Sequence, residues 1–147
     1  MKKLFFVIYL LSLTFAQSQN GKLSPKFYKD NREVFREKMP ENSVAVLFSA
    51  PIRNRANDVD YVFHQDPNFF YLTGWHQPHS VLMIYKNPQV DELGSFNEKI
   101  YILERDEHKE LWNGKRYSIE TVKKFGFERV NTRNRFMDDI SNLITYD

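Results

Sequence analysis

The chain has 147 residues, 21 basic and 19 acidic side chains, and no cysteine. Met1–Ala16 holds two lysines and no acid, so 21 − 2 leaves 19 basic against 19 acidic residues after it. That balance gives no electrostatic pull toward nucleic acid or an anionic membrane, and the absence of cysteine excludes disulfides and thiol chemistry.

Residues 1–16 read as a secretory signal peptide. Lys2 and Lys3 open it, an apolar run from Leu4 to Leu13 follows, and Thr14-Phe15-Ala16 offers small residues for cleavage. The apolar run is about ten residues, short of the roughly 20 needed to cross a bilayer. Residues 17–23 form a polar tether. Ser24-Pro25 is an N-cap with proline at the first helical position. Phe27, Tyr28, Val34 and Phe35 form one stripe of a helix ending near Met39-Pro40. Val44-Ala45-Val46-Leu47-Phe48 is an unbroken apolar run, expected as a strand buried on both faces.

Ala50–Asp60 is polar and expected to be irregular. From Arg55 to Pro78 large rings alternate with charged and amide groups, which suggests a packed wall whose polar edges face a cleft. Within it, Phe69–Leu72 is expected as a strand stopped by Thr73-Gly74. Val81–Tyr85 is another strand. Lys86–Asn97, with Asn87-Pro88 and Gly94, reads as a loop, and Lys99–Leu103 as a strand. Asp106–Leu111 reads as a short helix, and Asn113-Gly114 as a tight turn. Ser118 opens a helix closed by Gly126, and Phe127–Val130 returns as a strand. Phe136, Met137, Ile140, Leu143 and Ile144 keep helical spacing. This order of elements argues for an α/β domain, a sheet covered by helices.

The chemistry-bearing motifs are sparse. The sequence has no phosphate-binding Gly-rich loop and no Gly-x-Ser-x-Gly elbow. His76 and His79 flank Gln77-Pro78 and are the best metal candidates, but Pro78 opposes a helix and further ligands are wanting; a polar loop is the favoured reading. Asp58 and Asp60 suit acid–base work or, more simply, an Asx turn with an ion pair to Arg53 or Arg55. His64 is a proton shuttle or a structural donor. Asp138-Asp139 is expected to cap or solvate the last helix. In Trp112-Asn113-Gly114-Lys115-Arg116-Tyr117 a turn sets two cations between two rings, able to meet an anionic peptide end or simply to be solvated.

Taken together, several blocks resemble the N-terminal domain of bacterial Xaa-Pro aminopeptidase (aminopeptidase P, in the creatinase/prolidase group). They are Asn42–Pro51; Arg55, Asp58, Tyr61 and Gln65; Phe69-Phe70-Tyr71-Leu72-Thr73-Gly74; Pro78 with Val81-Leu82; and Glu110-x-Trp112-x-Gly114-x-Arg116 with Gly126. The likeness covers roughly residues 26–143, and residues 24–147 are assigned to this domain. It implies a mixed β-sheet flanked by helices, ribonuclease H-like in arrangement. It further implies a hydrolase, a metallopeptidase that releases an N-terminal residue preceding proline, with a dinuclear manganese (Mn2+) centre activating water. Those metals belong to a C-terminal pita-bread domain whose ligand set no residue here matches, so this polypeptide alone is expected to be inactive and to bind no metal. The implied role is support: assembly into a homo-oligomer, and edging the cleft that takes proline-containing peptides. By motif position Phe70 resembles the ring that reaches that cleft, and Lys115 with Arg116 the basic pair that meets the peptide. Two departures stand out. His64 replaces the Arg that commonly precedes Gln, and Gln77 replaces an acid that often precedes Pro. The alternative function is a stand-alone peptide-binding or assembly module without enzymatic activity.

Overall fold

A computed structural model describes residues 23–144. The expected signal peptide and nearly all of the tether lie outside the described residues. Helix α1 (Pro25–Glu37) starts where the sequence marks it, with the Ser24 side chain accepting from Phe27 N. Four strands form the main sheet: β1 (Val44–Phe48), β4 (Val81–Asp91), β5 (Gly94–Ile102) and β6 (Arg129–Thr132), in the order β1-β4-β5-β6. The first two junctions are antiparallel and the β5–β6 junction is parallel. Between β1 and β4 come a small antiparallel pair, β2 (Asn54–Ala56) and β3 (Val59–Asp60), and helix α2 (Pro67–Thr73). Helices α3 (Glu107–Asn113) and α4 (Ile119–Lys123) connect β5 to β6, and α5 (Phe136–Ile144) follows β6 after a short 3-10 turn. The sheet is mixed and flanked by helices, as expected.

Alternation along the central strands builds a core on each face of the sheet. Leu82, Ile84, Ile100 and Ile102 point to one side, joined by Phe69, Leu72, Trp75, Val122, Phe127 and Val130. Val81, Met83, Tyr85 and Tyr101 point to the other, joined by Phe96 and Phe136. Each of these buried chains contributes about 1.5–3 kcal/mol of apolar transfer. Helix α5 is tied down by polar bonds as well: Asp139 accepts from Tyr101 Oη at 2.5 Å and from Lys99 Nζ at 2.8 Å. Asp139 therefore anchors the helix to the sheet instead of capping or solvating it.

Four expectations are corrected. Phe69–Leu72 is helical, because Asp66 caps the N-terminus (Oδ1 accepts from Phe69 N, 2.9 Å), Pro67 occupies the first turn and Gly74 closes the end at φ +62°. Lys86–Asn97 is a hairpin: β4 continues to Asp91 through a register shift after Ile84, and Leu93 N bonds Asp91 Oδ1 across the turn. The β1 run lies at the edge of the sheet with Val44 and Phe48 exposed, so it is not covered on both faces. Finally, Ala50–Asp60 carries the β2–β3 ladder, although every residue of 51–60 is exposed.

Sequence reasoning did not find the strongest polar tie. Arg32 lies on the inner stripe of α1, four residues from Tyr28 and three from Phe35, and is 1% exposed. Its Nε and Nη2 bind both oxygens of Glu98 (2.5 and 2.7 Å), while Nη1 and Nη2 also reach Leu72 O and Gly126 O. The guanidinium lies over the Phe127 ring at 4.5 Å. A long cation on an apolar stripe was the signal.

Candidate functional site

The loop Trp75–His79 links α2 to β4, and four devices hold it. Gln65 uses its whole side-chain amide: Oε1 accepts from Ala50 N (2.8 Å) and Asp66 N (3.0 Å), and Nε2 donates to Trp75 O and Gln77 O (both 3.1 Å). Trp75 is buried, donates from Nε1 to Ser80 Oγ (2.8 Å), and packs on Tyr117 and Phe125 with ring centroids 5.2 and 5.3 Å away. Ser80 N donates to Ser49 Oγ at 2.7 Å. Thr73 Oγ1 donates to Phe69 O (2.6 Å) and accepts from Trp75 N (3.0 Å). These bonds satisfy the polar groups of a turn that would otherwise bury them unpaired.

The sequence-derived candidates sit on the two flanks of this loop. Phe70, on α2, is 41% exposed; its ring meets Tyr28 and His76 edge-on, each at 6.1 Å. His76 in turn meets Phe63 at 5.3 Å. Phe63 lines an open cleft of about 930 Å³ between the β2–β3 arm and the body, together with Phe48, Arg53, Tyr61, His64 and Gln65. On the other flank Arg116 borders a narrow gap with Gln77 and Pro78, and its Nη1 donates to Glu104 O at 2.6 Å. Lys115 is exposed and forms no ion pair among the described residues. The structure therefore places Phe70 and Arg116 beside one loop without bringing them into contact. Trp112 is 89% exposed and the Tyr117 ring packs on Trp75 and Phe125, so the expected setting of the two cations between two rings does not form.

His79 adopts φ +57°, and Arg133 Nη1 donates to its carbonyl. Burial, then the Arg133 and Arg116 charges, push the His79 imidazole below its ordinary value. Cations on this side also disfavour a metal at His79, and His76 is engaged with rings. Among the described residues no group of three or more His, Cys, Asp or Glu is placed to hold a metal ion. Asp60 accepts from Asn54 Nδ2 at 3.3 Å, and neither Asp58 nor Asp60 is ion-paired to Arg53 or Arg55. His64 is exposed on the cleft wall. Around the loop stand aromatic rings, the Arg116 and Arg133 guanidiniums and the His79 imidazole, groups whose chemistry suits apolar and anionic partners.

The fold and this supported loop define an α/β domain with a mixed sheet flanked by helices. Residues 28–147 match the family model described as aminopeptidase P, N-terminal domain, and the chain belongs to that family. Xaa-Pro aminopeptidase 3 of Dictyostelium discoideum is 36% identical over 121 residues, which cover 81% of this chain and 23% of that protein. Xaa-Pro aminopeptidase of Haemophilus influenzae is 35% identical over 100 residues, covering 68% of this chain and 22% of that protein. The low-pH form of Escherichia coli aminopeptidase P superposes with a TM-score of 0.73 at 26% identity, over 84% of this chain and 27% of that one. The chain thus spans about a quarter of the length of the relatives it matches.

Proposed function

We propose that this chain is the non-catalytic N-terminal domain of an exported, manganese-dependent Xaa-Pro aminopeptidase, which releases an N-terminal residue preceding proline. A catalytic pita-bread domain that holds both manganese ions is its partner, and proline-containing peptides are its substrates. Within a homo-oligomer the domain edges the active-site cleft. Phe70 supplies a ring to that cleft, and Lys115 with Arg116 supplies positive charge to the peptide. Export rests on the three-part pattern of residues 1–16. The observation that carries the reading is the Trp75–His79 loop. Four sets of hydrogen bonds and ring contacts stiffen it, yet it leaves Phe70 on one flank exposed. A rigid support with an exposed ring suits presentation to a partner.

The test uses this chain with manganese and the peptide Ala-Pro-Ala. Turnover should not exceed that of a metal-only control, whereas in the enzyme that carries this domain Phe70→Ala should lower kcat/KM by about tenfold or more with little change in Tm. Turnover by the chain alone, or equal losses of activity and Tm, would overturn the reading.

A further inference from the structure

Arg32, Arg105 and Arg129 are each matched to a carboxylate, on Glu98, Glu110 and Asp91 respectively. Arg116 and Arg133 are half-buried and are not. Each is instead fixed through one nitrogen to a main-chain carbonyl, Arg116 Nη1 to Glu104 O and Arg133 Nη1 to His79 O. That anchoring restricts the side chain before any ligand arrives, which lowers the ordering cost of binding. It leaves Nε and Nη2 of both arginines without a hydrogen bond to any described residue. Those two nitrogens form the edge of the fork that takes a carboxylate side-on.

Position and charge agree with this. Glu104 follows the C-terminal end of β5, Arg133 follows that of β6, and His79 precedes β4. The strand directions put these three points at one end of the sheet. It is the carboxyl end of the parallel pair, where open α/β sheets take their ligands. The acids nearest Arg116 have other partners: Glu110, which also accepts from the Arg116 backbone N–H, is ion-paired to Arg105 at 3.1 Å. Gln77, beside Arg116, is neutral. Asp106, which does feel Arg116, is occupied as the cap of α3 and in an ion pair with Lys109 at 3.1 Å.

We propose that Arg116, beside Gln77 and Pro78, and Arg133, bonded to the His79 carbonyl, form a binding site for a carboxylate group. The proposal rests on the peptidase reading for its two sources, the terminal carboxylate of a short peptide and an acidic side chain of an adjoining segment.

The chain, labelled with nitrogen-15, is titrated with Ala-Pro-Ala, with its C-terminal amide, with acetate, and with sodium chloride at matched ionic strength, while the arginine Nε–H and His79 signals are followed by NMR. The acid peptide should shift Arg116 and Arg133 saturably, and the amide should bind about tenfold more weakly or worse. Arg133→Gln should weaken binding about fivefold or more, Arg133→Lys less, and Arg55→Gln not at all. A peptide that binds more tightly than acetate points to the peptide terminus; equal affinity points to a side chain, and either keeps the site. Equal shifts from the amide or from chloride, or no saturable shift, overturn it. If these titrations fail while Phe70→Ala still impairs the enzyme, the site is lost and the peptidase role stands. If they succeed while the chain alone cleaves Ala-Pro-Ala, the site stands and the role falls.

Discussion

Arg32 and the Arg116–Arg133 pair carry the same functional group and put it to opposite uses. At Arg32 the carboxylate is built in: Glu98 closes the fork, two carbonyls take further N–H groups, and almost no surface remains. At Arg116 and Arg133 the protein supplies only a carbonyl to each and leaves the rest of the fork open. The first arrangement ties α1 to β5, to the end of α2 and to the approach to β6. The second ties very little and keeps positive charge on display. A guanidinium's contribution thus depends on what completes it and not on the residue itself.

The comparison can be broken most forcefully at Glu98. Glu98→Ala strands a buried cation and should cost about 3–5 kcal/mol, read by urea denaturation, and Arg32→Met in the same chain should restore much of the loss. A cost under about 1 kcal/mol, the range of surface pairs, would mean that the tie is not buried in solution. Gln65→Leu comes next. It leaves carbonyls of the Trp75–Gln77 turn unpaired and should cost about 1–3 kcal/mol, with loop signals broadening while those of β5 stay unchanged. The smallest effect belongs to Arg133→Gln, which should change stability by no more than about 0.5 kcal/mol. The same change should raise the His79 pKa, since one of the two cations now holding it down is gone. An unmoved His79 titration would show that the arginine does not face the imidazole.

Much of this was legible in the residues. Ser24-Pro25 marked α1, Ser118 marked α4, the spacing from Phe136 to Ile144 marked α5, and Val81–Tyr85 marked the central strand. The block order marked the family. Two kinds of information were hidden. Val44–Phe48 and Val81–Tyr85 are equally unbroken apolar runs, yet one is an edge and the other the centre, because rank in a sheet depends on partners distant in sequence. Phe69–Leu72 looks extended by its aromatic content, but capping by Asp66, Pro67 and Gly74 outweighs β-propensity. The candidate site was marked only in part. Phe70, Lys115 and Arg116 carry motif positions, whereas Arg133 is one arginine of several until β6 brings it beneath His79.

Gly74 has a consequence for the ring beside it. A Cβ at that position would overlap the Tyr28 ring, so α1 reaches into a space that only glycine leaves vacant. The same tyrosine supports Phe70 from behind. The N-terminal helix thereby acts as a brace for a ring on α2. A displacement of α1 would therefore act on two places at once, withdrawing the tyrosine from behind Phe70 and pulling on the Arg32–Glu98 tie to β5.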